Sequence, residues 1–328
     1  MKARELRTQP EILAGSYSQD FADQVAHHLG LKLGKVAMTQ FANTEIKAEV
    51  PSVRGNDVFV IQSHGAPVNE AIMEQAAIIN AARRASARDI TAVMPYRGYG
   101  RADKPDNSHE SYMGPLTMRL FESAGANRII EVDPHAGQSA GFLRSTSTEY
   151  TAIPSSPAIQ EHIQKTILDP FGDEDVVIVS PDSGRAKLNR LYAQHFNLPR
   201  AIVDKVRTGT NQAEVSEVVG KVKDLRCIVI DDMVDTAGTL VQGAEALMDL
   251  GAKEVNFVAT HGVLSDPAIE RLTAAKRDGI LASIAVTNTL NLPPETPDGL
   301  IDTISVAPLV GDAIRKVFQD ESVSAMFK

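Results

Sequence analysis

Apolar runs of four to six residues, rich in valine and isoleucine, recur along the chain with amphipathic stretches between them. This alternation limits the fold more than any other feature. The runs at 58–62, 90–94 and 128–132, and again at 176–180, 227–231 and 255–259, have strand length and show no polar face. They read as buried strands. Between them, 69–86, 111–125 and 237–251 carry helical spacing, and the last two end at Gly125 and Gly251, a common helix stop. Strand, helix, strand in repetition implies parallel sheets covered by helices, an α/β fold. The segments 35–40 and 45–50 are expected to form a short hairpin. The two halves share one plan, in which apolar strands run into polar loops. A stretch rich in Ser, Thr and Pro within 145–158 is the expected junction. The division is therefore 1–152 and 153–328, and a length of 328 residues suits two domains.

Composition excludes several classes. No apolar run reaches the roughly 18 residues of a membrane span, and the first residues lack the apolar core of a secretory signal. Cys227 is the sole cysteine, so no internal disulfide can form, and without a CxxC pair a structural zinc site is not expected. A reducing cytoplasm is the expected setting. The net charge of −9 argues against nucleic acid and membrane surfaces as partners. Against that acidic background, 97–104 (RGYGRADK) and 204–207 (DKVR) are basic islands.

Ligands of open parallel sheets bind beyond the carboxyl ends of the strands, where the polar loops fall. The most informative is 227–240, CIVIDDMVDTAGTL. An apolar strand delivers Asp231 and Asp232, a turn with Asp235, Thr236, Ala237, Gly238 and Thr239 follows, and a helix begins. Hydroxyls, free amides and the positive helix end make an anion site of monophosphate size. Asp and Thr also cap helices, but a cap needs one acid and here two stand together. Paired carboxylates repel phosphate; they suit adjacent sugar hydroxyls or waters on magnesium. A phosphosugar satisfies both halves of the loop.

This loop resembles the ribose-phosphate motif of the phosphoribosyltransferase fold. Segments 41–45, 52–55, 67–74, 84–104, 131–142, 178–184, 204–207, 286–289 and 321–327, in this order, resemble the ribose-phosphate diphosphokinase (PRPP synthetase) family nearly end to end. The resemblance implies two tandem phosphoribosyltransferase-like, Rossmann-like domains. It implies transfer of a diphosphoryl group from Mg-ATP to ribose 5-phosphate, with Mg²⁺ as cofactor. Phe41, Asn43 and Glu45 would hold adenine, from a neighbouring subunit. Arg101, Asp103, Lys104 and Asp106 would serve the ATP phosphates, and an arginine fork suits that task. His135 would ligate magnesium, and Asp182 would act on the diphosphate side through metal-bound water or the sugar. Asp231, Asp232, Asp235, Thr236, Ala237, Gly238 and Thr239 would bind ribose 5-phosphate. Lys205 and Arg207, in a mobile catalytic loop over 204–207, would stabilise the transferring group, with a lid after them, and Asp232 would assist catalysis. The assembly implied is a homo-oligomer, a dimer-based hexamer.

The sequence also departs from the family pattern. Ala102 stands where glutamine is usual, Arg185 replaces a glycine of the diphosphate loop, and Leu188 takes a basic position near Arg190. Arg54, Ser322 and Phe327 match parts of a phosphate-activation site, whereas His109 replaces an arginine and Ala140 a glutamine. Weak or absent activation by phosphate is therefore expected. A larger acceptor such as ADP-ribose, a catalytically weak regulatory subunit, and a phosphoribosyltransferase are the alternative readings. The diphosphokinase reading requires Asp231–Thr239 and the Arg101–His135 groups to serve one reaction.

Overall fold

The computed structural model describes residues 9–105, 107–209 and 212–327, with backbone alone over 204–209 and 212–216. The chain forms two compact units: one runs to Pro154 and includes Val306 onward, the other is Ser155–Ser305.

In the first unit, β1 (Glu11–Ala14) leads into α1 (Gln19–Leu29), which ends at Gly30 in the left-handed region, φ 72°. An antiparallel hairpin follows, β2 (Ala37–Gln40) and β3 (Ile46–Glu49), as its sequence predicts. Then come β4 (Asp57–Ile61), α2 (Val68–Arg84), β5 (Asp89–Met94), α3 (Met113–Ala124), β6 (Arg128–Val132) and β7 (Glu149–Ile153). The five-stranded sheet is ordered β1-β4-β5-β6-β7 and is parallel throughout. Val58 and Val60 of β4 share a core with Ile72, Ile79, Met118 and Phe121 of α2 and α3. Strand periodicity of two meets helical spacing there, which fixes the pairing. The stretch expected as linker instead supplies β7. This edge strand carries Glu149, Tyr150 and Thr151 on a partly exposed ladder, so its apolar signal is weak.

The second unit opens with α4 (Ser156–Ile163), one π-type turn at Gln164–Leu168 and the short α5 (Asp169–Phe171). It continues with β8 (Val176–Ser180), α6 (Ala186–Phe196), β9 (Arg200–Gly209), β10 (Gln212–Val219), β11 (Arg226–Val234), α7 (Gly238–Asp249), β12 (Glu254–Gly262), α8 (Ala268–Arg277), β13 (Ser283–Thr287) and β14 (Asp302–Ile304). The sheet order is β10-β9-β8-β11-β12-β13-β14. Alternate residues of the central strand enter opposite cores. Cys227 and Val229 meet Leu247 of α7 and Leu272 of α8, while Ile228 and Ile230 meet Ile159 of α4 and Tyr192 of α6. Burial on both faces is why the strand is apolar without interruption. The segment expected as a mobile loop, 204–207, lies within β9. It is paired antiparallel with β10, Lys205 opposite Val215 and Arg207 opposite Ala213.

The last helix, α9 (Ala307–Phe318), belongs to the first unit, not to the second as 153–328 would have it. It packs on α1, where His28 Nε2 lies 2.8 Å from Asp312 Oδ1. A side chain at Gly311 would put its Cβ 2.7 Å from the His28 ring, so glycine lets the two helices approach. Among the described residues no helix is long and apolar enough to cross a membrane.

Candidate active site

In the second sheet the connection from β8 runs to β9 on one side, and that from β11 runs to β12 on the other. The strand order reverses between β8 and β11, and ligands of open α/β sheets bind in the crevice at such a reversal. β8 pairs with β11 as far as Val229 and then gives way to the turn at Asp182–Arg185. β11 itself continues beside β12, Asp231 opposite Ala259 and Met233 opposite His261. Asp231 and Asp232 therefore stand on rigid strand backbone at the mouth of the crevice. Asp231 Oδ1 accepts the Asp232 backbone N–H at 2.8 Å. The Arg185 guanidinium reaches both acids, Nη2 at 2.5 Å from Asp232 Oδ2 and Nε at 3.6 Å from Asp231 Oδ1. Burial and then the neighbouring Asp232 charge hold the Asp231 carboxyl above the ordinary carboxylate range. Asp182 Oδ1 accepts the Arg185 backbone N–H at 3.0 Å and so starts the helical turn.

In the turn after the acids the left-handed residue is not the glycine. Ala237 takes the left-handed conformation, φ 59°, and Gly238 is already the first residue of α7. A Cβ on Gly238 would lie 3.1 Å from Arg271 Nη1 of α8, and that atom donates to the Thr236 carbonyl at 2.9 Å. Arg271 thus brings positive charge to the turn that opens α7, a residue the sequence reading did not select. Asn189 is a second omission: its Nδ2 donates to the carbonyls of Arg185 at 3.2 Å and Ile230 at 3.0 Å, tying α6 to β11.

In the first unit the adenine candidates Phe41, Asn43 and Glu45 occupy the hairpin turn between β2 and β3. Phe41 donates its N–H to the Glu45 carbonyl at 2.8 Å, and the Glu45 N–H donates to Asn43 Oδ1 at 3.3 Å. The Phe41 ring is half exposed. Arg101, Asp103 and Lys104 follow β5, and His135 follows β6, adjacent strands of one sheet. Gln138 Nε2 donates to Asp103 Oδ2 at 2.7 Å and joins the two loops. Beneath them Arg97 and Glu131 form a buried ion pair, Arg97 Nη2 donates to Ser139 Oγ at 3.0 Å, and Tyr150 Oη donates to Glu131 Oε2 at 3.0 Å. In the sequence Arg97 belongs to a basic island and Glu131 to a strand, and nothing in their spacing reveals the pair. Asp106 and the side chains of Lys205 and Arg207 lie outside what the structure describes.

The pattern of the N-terminal domain of ribose phosphate pyrophosphokinase matches residues 10–125, and that of the phosphoribosyl synthetase-associated domain matches 209–328. A ribose-phosphate pyrophosphokinase of Caldanaerobacter subterraneus subsp. tengcongensis is 41% identical over 97% of this chain and 97% of its own length. The chain belongs to the ribose-phosphate pyrophosphokinase family. A Bacillus caldolyticus ribose-phosphate pyrophosphokinase is 40% identical, covering 97% of this chain and 98% of its own. The crystal structure of phosphoribosylpyrophosphate synthetase from Mycobacterium smegmatis superposes with a TM-score of 0.85 at 37% identity, over 95% of this chain and 100% of that one.

As a ribose-phosphate pyrophosphokinase family member the chain is a transferase of nucleotide biosynthesis, and its departures acquire structural detail. Leu188 packs on the core beside Tyr192, while Arg190 is exposed. Ala102 carries its carbonyl to the Gly114 N–H at 2.9 Å, an approach that a Cβ at Gly114 would block at 2.6 Å. Among the described residues no three His, Cys, Asp or Glu side chains converge on one point. Magnesium takes one or two carboxylates and completes its shell with water and phosphate. The Asp231–Asp232 oxygens are donors of that kind.

Proposed function

We propose that this chain transfers the β,γ-diphosphoryl group of Mg-ATP to the anomeric hydroxyl of ribose 5-phosphate, giving 5-phosphoribosyl 1-diphosphate and AMP. The observation that carries the reading is the acid pair followed by the Thr236–Thr239 turn, at the reversal of strand order, in a chain of this family. The turn and the start of α7 take the 5-phosphate, with amides and the helix end facing the anion. Asp231 and Asp232 take the ribose hydroxyls. Phe41, Asn43 and Glu45 take adenine, and Arg101, Asp103, Lys104 and Asp106 take the ATP phosphates.

The anomeric oxygen attacks the β-phosphorus, the bond from that phosphorus to the α,β-bridging oxygen breaks, and AMP leaves with that oxygen. The proton of the attacking hydroxyl passes to the acid pair. Lys205 and Arg207 neutralise charge on the diphosphoryl group as it moves. His135 would hold magnesium, Asp182 would act on the diphosphate side through metal-bound water or the sugar, and the ion would supply further neutralisation of the phosphates. The protein's work is alignment, charge compensation and exclusion of water. The named relatives are pyrophosphokinases, which supports this reading over a larger ribose 5-phosphoester acceptor, a regulatory subunit or a phosphoribosyltransferase. The expected setting is cytoplasmic and the expected assembly a dimer-based hexamer.

The test is product analysis by phosphorus NMR after incubation with Mg-ATP and ribose 5-phosphate. AMP and 5-phosphoribosyl 1-diphosphate in equal amounts are expected. ATP left intact, or AMP formed only with another acceptor, would overturn the assignment.

A further inference from the structure

Arg185 places a cation on the carboxylates where a sugar or a metal ion would be received. Its Nη2 lies 2.5 Å from Asp232 Oδ2, and its Nε 3.6 Å from Asp231 Oδ1. The side chains of Arg185 and Asp231 are 22% and 24% exposed and that of Asp232 is 8% exposed, so the cluster is partly buried, with Asp232 the deepest. The turn that presents the guanidinium has backbone holds of its own. The Arg185 N–H is held by Asp182 Oδ1 at 3.0 Å, and its carbonyl is held by Asn189 Nδ2 at 3.2 Å. Asn189 is buried and also fastened to the Ile230 carbonyl at 3.0 Å, one residue before the acids. The backbone is thus anchored on both sides of Arg185 by contacts that its N–H and carbonyl make.

Two adjacent carboxylates repel each other and attract a cation. Elsewhere that need draws in a divalent ion from solution; here the chain carries a cation of its own. We propose that Arg185 is a built-in counter-ion of the Asp231–Asp232 pair, competing with a divalent metal ion for these oxygens and setting how tightly the pair holds one. This deepens the reading above and rests on it for the identity of the substrate, but not for the competition itself. Arg185 is a positioning residue: by pairing with the acids it holds their carboxylates in place until an occupant displaces it.

Mn²⁺ binding to the full chain without nucleotide, read by the electron paramagnetic resonance of the free ion, tests the proposal. Arg185→Gly and Arg185→Gln should each tighten Mn²⁺ binding about tenfold, since each removes this counter-charge from the acids. Arg185→Lys, which keeps a charge, should stay near the wild-type affinity. Adding Asp232→Asn to Arg185→Gln should abolish the gain. Circular dichroism confirms the fold of each variant, and Arg185→Gln carries the test if the glycine variant does not fold. Wild-type affinity in Arg185→Gln, or a gain that survives Asp232→Asn, would overturn the counter-ion role. AMP release from Mg-ATP and ribose 5-phosphate is measured separately. Its absence counts against the reaction and not against the competition, and an unchanged Mn²⁺ affinity does the reverse.

Discussion

His64 follows β4 with its ring fully buried, stacked 5.5 Å from Phe121. Its Nδ1 accepts the Gly98 N–H at 3.2 Å, so Nε2 is the nitrogen that donates to Gln75 Oε1 at 2.8 Å. The neutral ring thereby shapes the loop that carries Arg101. Burial pushes the imidazole down from 6.5 to about 4, the nearby Arg97 charge adding to it against the Gln75 bond. The unfolded chain takes up its proton near 6.5, so between pH 6.5 and 4 acid favours unfolding. His64→Gln should flatten the fall of stability in that window by up to about 1.4 kcal/mol per pH unit. Thermal melting of both proteins at several pH values checks this; equal slopes would count against it. Asp232→Ala should lower turnover by about 100-fold or more if the acid acts on the sugar, and near-normal turnover would remove that role. The acid pair was legible because two charges end an apolar run. The destination of Arg185 was not, because a sequence gives a guanidinium's position in the chain but not the carboxylate it reaches. The Arg97–Glu131 pair escaped for the same reason: partners from different strands have no common spacing.

At the scale of elements, the six central strands could be read directly, since burial on both faces demands uninterrupted apolar residues. Edge elements could not. β7 is half polar, and the β9–β10 hairpin hides Lys205 and Arg207 within what resembled a loop. Ile228 on β11 has no exposed surface, and Ile228→Ala should cost about 2–5 kcal/mol by denaturant titration. On the same strand Cys227 is fully buried and its thiol is pushed up to about 12 by that burial. A thiol reagent should leave the native protein unlabelled at neutral pH and label it once unfolded. Rapid labelling of the native protein would show that β11 is not the closed centre of its sheet.

At the scale of the molecule, the first unit depends on residues that the sequence reading assigned to the other half. Helix α9 buries Val310 and Ile314, each contributing about 1.5–3 kcal/mol. Removal of 306–328 should therefore lower the calorimetric transition of the first unit; an unaltered melting profile would contradict this. The rate should respond little to inorganic phosphate, and strong activation at neutral pH would refute the expectation drawn from His109 and Ala140. The pattern of α9 is amphipathic, but amphipathicity does not say which sheet a helix will cover, and α1, its partner, lies nearly the whole chain away.

That arrangement has a consequence for how the protein is born. A ribosome delivers residues in order, yet the domain begun first must wait for its closing helix until everything in between has been made. The later domain can finish folding while the earlier one still has α1 uncapped and apolar surface open to other chains.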